Sequence, residues 1–92
     1  MKTEEIVGPP KSGKTDRAVA RAVLLAREGH RVLILTDDNA RAIDRRLNKI
    51  AGDKERAQIA LSCGGSLSEA QSLAKRDDSV LIIDGGRARF PL

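Results

Sequence analysis

The chain has 92 residues, of which 40% are apolar and 33% charged, a balance typical of one small folded domain. Phe90 is its only aromatic residue, which argues against a base-stacking platform for single strands and requires an aliphatic core. The net charge is +4, and residues 1–50 carry all of it, with eleven Lys and Arg against seven Asp and Glu. This basic half indicates either an anionic partner, such as phosphate or nucleic acid, or an ordinary solvated surface.

The sequence also indicates where the protein resides. Its apolar runs are far shorter than the roughly 20 residues that a membrane-spanning helix needs. The start of the chain turns acidic at Glu4 and Glu5, unlike a secretory signal. A single cysteine, Cys63, excludes an internal disulfide, and we expect it to be a small buried residue. We therefore expect a cytoplasmic protein with no membrane partner.

Strand and helix patterns alternate along the chain. Strands are predicted over residues 3–7, 31–36, 57–62 and 80–83. Helices are predicted over residues 14 to about 28, between a cap at Asp37 or Asp38 and an end at Gly52, and over residues 67–74. Asp37 or Asp38 is expected to cap the second helix, whose apolar face is Ala40, Ile43, Leu47 and Ile50. Gly29 is placed for a left-handed C-cap, and Ser66 and Glu69 have the spacing of a capping box. The alternation predicts an α/β three-layer sandwich around a small parallel sheet of about four strands.

Three helices barely cover both faces of such a sheet. One face receives two helices and the other only one, so we expect some apolar sheet surface to stay uncovered. Residues 1–92 are therefore predicted to be a single minimal domain that forms a homo-oligomer or joins a complementing domain. The alternative is a piece of a larger domain, truncated before further core strands.

Residues 8–15 carry the pattern that predicts chemistry. They fit G-x-x-x-x-G-K-[ST] at each fixed position, the alternative being an incidental Gly/Pro turn. Such a loop surrounds a phosphate with backbone N–H groups above a helix N-terminus. Lys14 would reach the β- and γ-phosphates, and the Thr15 hydroxyl would ligate Mg²⁺. The predicted nucleotide-binding residues are Gly8, Pro9, Pro10, Lys11, Ser12, Gly13, Lys14, Thr15 and Asp16.

Asp84 is the acidic residue predicted for the same site. It follows four apolar residues, 80–83, at the end of the last predicted strand. Because the carboxyl ends of parallel strands meet at one crevice, Asp84 is expected beside Thr15 as the second metal-binding residue, which holds Mg²⁺ through water. The alternative is that Asp84 only begins the turn at Gly85. Lys14 and Asp84 are the predicted catalytic residues.

Together these segments resemble the P-loop NTPases, with residues 8–15 as the Walker A motif and residues 80–84 similar to a Walker B motif. The resemblance covers essentially the whole chain and implies that ATP, in preference to GTP, and Mg²⁺ are its cofactors. RecA-like members of the family place a catalytic glutamate directly after the Walker B aspartate. Gly85 stands there in this chain, which implies slow or partner-dependent hydrolysis.

The order of segments is also similar to the first half of a superfamily-one or superfamily-two helicase motor domain. Residues 33–42, 60–65 and 83–87 then correspond to loops that contact a nucleic-acid backbone in that family. The likeness implies a single-stranded nucleic acid as partner, bound by Asn39, Arg41, Gly65 and Arg87. Under this alignment Asp84 would not be the Walker B residue.

Two further functions stay open at this point. Residues 84–87 loosely resemble the D-G-x-P-R segment of nucleoside monophosphate kinases, which would make the protein a phosphotransferase. The chain also fits a non-enzymatic, minimal phosphate- or nucleic-acid-binding protein, engineered or reduced.

Overall fold

The computed structural model describes residues 2–6, 13–36, 40–73, 79–85 and 90, with backbone alone for Lys14 and Leu73. In chain order its elements are β1 (Lys2–Ile6), α1 (Lys14–Arg27), β2 (Arg31–Thr36), α2 (Ala40–Ile50), α3 (Asp53–Ala57), β3 (Ile59–Cys63), α4 (Leu67–Leu73) and β4 (Ser79–Asp84). The predicted alternation of strand and helix is confirmed. The short helix α3 was not predicted, and it displaces the start of the third strand from residue 57 to Ile59.

The four strands form one parallel sheet in the order β1-β4-β2-β3. The last strand of the chain, β4, therefore lies between β1 and β2 and pairs with both. In this register Asp84 lies beside Ile6 on one side and Thr36 on the other, and Thr36 lies beside Cys63. The carboxyl ends of all four strands thus meet along one edge of the sheet.

The two faces of the sheet have separate cores because side chains alternate along each strand. On one face, the β2 and β4 residues Val32, Ile34, Val80 and Ile82 pack against α1 and α2. On the other face, Leu33, Leu35, Leu81 and Ile83 pack with Leu67 and Ala70 of α4 and with Phe90. Helices flank the sheet on both faces, an arrangement compatible with the predicted three-layer sandwich.

Among the described residues, the expected uncovered apolar surface is confined to the edge of the sheet. α4 and Phe90 cover the face of β2 and β4 that carries Leu33, whereas Ala60 of the edge strand β3, in the same row as Leu33, is exposed. Two other predictions about burial are wrong. Cys63 is exposed, since it is the last residue of the edge strand β3. Ile50 is 49% exposed, and its neighbour Ala51 packs against the core instead.

At the helix ends the C-cap at Gly29 is confirmed, and the capping box at Ser66 is confirmed in one of its two hydrogen bonds. Gly29 has φ +93°, and the N–H groups of Gly29 and His30 donate to the carbonyls of Ala26 and Leu25, both at 3.1 Å. These two bonds form a Schellman motif at the end of α1. At the start of α4 the Glu69 N–H donates to the Ser66 hydroxyl at 3.1 Å. The expected caps by Asp37 or Asp38 lie outside the described residues. Within the described part of the chain, no helix has the length and apolar character needed to span a bilayer.

Candidate functional site

The candidate site lies where α1 begins above the carboxyl edge of the sheet. Gly13 is the N-cap of α1, in the left-handed conformation with φ +81°, and its carbonyl accepts the Arg17 N–H at 3.0 Å. A glycine at this position offers no side-chain cap to the first amides of the helix. The positive end of the helix dipole and these amides favour an anion at the start of α1.

Directly below this helix end, three polar side chains form a buried cluster. The Thr15 hydroxyl donates to Asp84 Oδ2 at 3.2 Å, and the Thr36 hydroxyl donates to the same oxygen at 3.1 Å. Asp84 and Thr36 are fully buried, and Thr15 is 7% exposed. The cluster therefore joins the first turn of α1 to the ends of β2 and β4.

The alternation of side chains explains why these residues meet. Thr36 follows Ile34 and Asp84 follows Ile82 in rows that face α1, so the apolar rows end in polar residues at the carboxyl edge. Gly85 then turns the chain with φ +114°. Its N–H donates to the Ile6 carbonyl at 2.9 Å, which holds the end of β1 beside Asp84.

The carboxylate of Asp84 is only half satisfied. Its Oδ2 accepts both hydroxyls, whereas its buried Oδ1 has no hydrogen-bond partner within the described part of the chain. A buried carboxylate oxygen without a partner is costly and calls for a ligand or a cation. Oδ1 is thus the atom of this cluster that remains available for coordination.

The donor set fits Mg²⁺. Hydroxyl and carboxylate oxygens are hard ligands, and proteins commonly bind this ion through one or two carboxylates together with substrate phosphates. Among the described residues there is no group of three or more His, Cys, Asp or Glu placed to hold a metal ion. A site with one carboxylate and one hydroxyl therefore matches a metal that arrives with a phosphate ligand better than a metal held by protein alone.

The structure brings together part of the predicted site. Thr15 and Asp84 are in direct contact as expected, and Gly13 is the N-cap of α1, two residues before Thr15. The side chain of Asp16 is 73% exposed, and its Oδ1 lies 3.4 Å from Arg46 Nη1 of α2. Gly8, Pro9, Pro10, Lys11, Ser12, Asn39 and Arg87 lie outside the described residues, as does the side chain of Lys14.

The two described residues of the predicted nucleic-acid contacts lie on other elements. Arg41 is exposed in the first turn of α2. Gly65 is half-buried in the connection from β3 to α4, where an added Cβ would lie 3.1 Å from the Ser62 hydroxyl. A side chain at position 65 would therefore be crowded by Ser62, which is one reason for a glycine there.

Thr36 is a site residue that the sequence analysis missed. The available signal was a polar residue at the end of the otherwise apolar segment 32–35. Its partner could not be inferred, because the sequence does not reveal that β4 inserts next to β2.

No family model, curated protein or solved structure matches the chain at a significant level. A functional assignment therefore depends on the pattern of residues 8–15 and on the geometry of the Thr15, Thr36 and Asp84 cluster. The two observations share Thr15: it ends the local sequence pattern, and its hydroxyl makes the contact across the fold to Asp84.

Proposed function

We propose that the protein binds a nucleoside triphosphate, ATP in preference to GTP, together with Mg²⁺ at the carboxyl edge of its sheet. The supporting observation is the hydrogen bond of 3.2 Å from Thr15 to the buried carboxylate of Asp84, 69 positions along the chain. In P-loop NTPases the ion is held by a Ser or Thr of the loop and an aspartate at a strand end. The two residues predicted as metal ligands from sequence are therefore adjacent in the fold.

Each segment has a role in this proposal. The loop of residues 8–13 would surround the β-phosphate with backbone N–H groups, helped by the dipole of α1. Lys14 would neutralise charge on the β- and γ-phosphates. Thr15 and Asp84 would hold the ion through a hydroxyl oxygen and Oδ1. Mg²⁺ held by these residues would neutralise negative charge on the phosphates.

The burial of Asp84 bears on the choice between the two alignments of its segment. In the helicase-type alignment, the end of β4 belongs to a loop that contacts a nucleic-acid backbone. The side chain of Asp84 instead is fully buried, and it contacts the first turn of α1. A carboxylate would also repel a phosphate backbone. These observations favour a metal ligand at this position.

Hydrolysis remains a separate prediction. An in-line attack on the γ-phosphate needs a residue that orients or deprotonates water. Gly85 follows Asp84, so the chain has no carboxylate at the position where RecA-like proteins place one. We therefore propose binding as the basic activity, with hydrolysis slow unless a partner supplies the missing groups.

The first prediction tests nucleotide binding itself. We expect ATP to bind in the presence of Mg²⁺ and Lys14→Ala to weaken binding about 10- to 100-fold, since a hydrogen bond to a charged group contributes about 1.5–3 kcal/mol. Isothermal titration calorimetry of ATP and GTP, with Mg²⁺ and with EDTA, measures both effects.

Lys54→Ala is the matched control. Lys54 is an exposed residue of α3, which lies near the other end of α1, where Arg27 Nε is 3.3 Å from Glu55 Oε1. This variant removes the same charge and should bind as the wild type does. Equal binding by wild type and Lys14→Ala, or binding by neither, contradicts the proposed function.

A further inference from the structure

Thr36 is a polar residue in a position where packing alone would favour valine. It ends a strand whose preceding four residues are apolar and buried, and it is itself fully buried. Burying a hydroxyl costs free energy unless the group is hydrogen-bonded. Asp84 Oδ2 accepts a hydrogen bond from this hydroxyl at 3.1 Å.

The geometry divides the two oxygens of Asp84 between two tasks. Thr15 and Thr36 both donate to Oδ2, from the helix and from the neighbouring strand. Two donors on one oxygen hold the carboxylate against rotation about its χ2 torsion, which is otherwise broad. Oδ1 is thereby kept free of hydrogen bonds from the described residues.

We infer that Thr36 is a positioning residue, whose hydroxyl holds the Asp84 carboxylate so that Oδ1 is presented to the Mg²⁺ of the bound nucleotide. The inference rests on the proposed function. Partners of this kind, which orient a ligand without touching the metal, typically affect metal affinity 10- to 100-fold.

Thr15 and Thr36 have different roles in this arrangement. A hydroxyl has one proton to donate and two lone pairs, so Thr15 can keep its hydrogen bond to Oδ2 while its oxygen ligates the ion. It also lies in the first turn of α1, where the phosphate-binding loop ends. Thr36 is fully buried at the end of β2, and its hydroxyl bonds Oδ2. In the proposed arrangement Thr36 acts on the metal through Asp84, whose Oδ2 accepts its hydroxyl.

The second prediction separates this role from a contribution to folding. Thr36→Val keeps the shape of the side chain and removes the hydroxyl, whereas Thr36→Ser keeps the hydroxyl and removes the methyl group. We measure the affinity for ATP in Mg²⁺ and in EDTA. The ratio of the two affinities is the metal-dependent gain in affinity. Thr36→Val should reduce this gain by about tenfold or more, because Asp84 Oδ2 then loses one of the two hydrogen bonds that hold the carboxylate. The affinity in EDTA should be unchanged, and Thr36→Ser should keep most of the gain.

Thr3→Val is the control for the substitution itself. Thr3 lies on the edge strand β1, beside Leu81 and away from the carboxyl edge, so its change should leave the gain intact. Thermal denaturation verifies that each variant is folded. If Thr36→Val does not fold, Thr36→Ala removes the same hydroxyl without placing a second methyl group beside Asp84.

The outcomes distinguish the inference from the function on which it rests. If the wild type shows the metal-dependent gain and Thr36→Val retains it, the inference is wrong and the proposed function stands. An equal loss in Thr36→Val and Thr36→Ser also overturns the inference, since packing of the methyl group would then explain the effect. If wild-type protein shows no binding of ATP, both fail together.

Discussion

At the scale of single residues, Glu4 and Arg21 show how an ion pair joins α1 to an edge strand. Glu4 lies in the row of β1 that faces α1, and Arg21 donates to it twice, Nε to Oε1 at 2.8 Å and Nη2 to Oε2 at 3.1 Å. Both side chains are partly buried, at 20% and 33% exposure. The hydrogen bond from Arg21 lowers the pKa of Glu4 below its ordinary value of 4.5, and desolvation by burial opposes it only in part.

The third prediction follows from the sign of that shift. A carboxyl group whose pKa is lowered in the folded state stabilises the protein at pH values above its ordinary, unfolded-state pKa. Its contribution declines as the pH falls through the folded-state pKa. A double-mutant cycle of Glu4→Gln and Arg21→Met should give a coupling of about 0.5–1 kcal/mol near neutral pH. Urea denaturation at a series of pH values measures it, and the coupling should shrink in acid.

The pair of Arg27 and Glu55 is the control for this cycle. Its nitrogen–oxygen distance is 3.3 Å, and Arg27 is 58% exposed, so solvent screens it more strongly. We expect a smaller coupling there. A coupling between Glu4 and Arg21 that is absent near neutral pH, or that persists unchanged in acid, contradicts the prediction.

The site residues differ in how far sequence could predict them. Thr15 and Asp84 were predicted because each belongs to a local pattern, the loop ending in Gly-Lys-Thr and the apolar strand ending in aspartate. Thr36 lies in the segment 33–42 that resembles a helicase loop, but that resemblance does not predict its contact with Asp84, which depends on strand order. The exposure of Cys63 depends on strand order in the same way, because β3 lies at an edge of the sheet.

At the scale of elements, α1 is bounded by two glycines in the left-handed conformation. Gly13 begins it with φ +81°, and Gly29 follows it with φ +93°. The apolar stripe of α1, which includes Ala18, Ala22 and Ala26, packs on the sheet between these ends. Because both glycines and the stripe are local features, sequence alone predicted this helix to within one residue of its end at Arg27.

The fourth prediction concerns the C-terminal end of α1. An added Cβ at Gly29 has no atom within 4 Å, so the cost of Gly29→Ala is conformational rather than a clash. We expect a loss of about 1 kcal/mol in the free energy of unfolding, the usual penalty for a left-handed alanine. Gly29→Asn should cost less, because asparagine adopts this conformation more readily. Chemical denaturation measures the free energy of unfolding of both variants and of the wild type. A Gly29→Ala variant as stable as the wild type would contradict the prediction.

The short helix α3 shows why other elements were missed. It has five residues, with Asp53 and Glu55 in its first turn and no buried side chain. Its position is held by Arg56, which donates to Asp44 Oδ1 of α2 at 2.6 Å and to the Ile59 carbonyl of β3. Since these partners lie outside the segment, hydrophobic periodicity could not reveal α3, and the strand after it was placed too early.

At the scale of the whole molecule, the fold is built around β4. The strand pairs with β1 and β2, and both of its faces are buried. The alternation of strands and helices predicted a parallel sheet, but not that the last strand would insert between the first two. That order depends on long-range packing, and it is also what brings Asp84 next to Thr36 and under Thr15.

The fifth prediction tests, by native-state hydrogen exchange, whether the central strand β4 is more protected than the edge strand β3. Amides of β4 should exchange only through global unfolding, because the strand has a partner on each side and no exposed face. Amides of β3 should exchange faster, since it is an edge strand whose residues are partly exposed. Mass spectrometry of exchange at increasing denaturant resolves the two classes. Equal protection of β3 and β4 would contradict the prediction that β4 exchanges only when the whole domain unfolds.

The same measurement connects the fold to ligand binding. A ligand that binds only the native state raises the free energy of unfolding by about 2.7 kcal/mol at 100 times its dissociation constant. Because β4 exchanges through global unfolding, Mg·ATP should slow its amides by about 100-fold at that concentration. Local openings of β3 that leave the site intact should be slowed much less, since they do not release the ligand. Slowing confined to β3 would instead place the ligand at that edge of the sheet, away from Asp84.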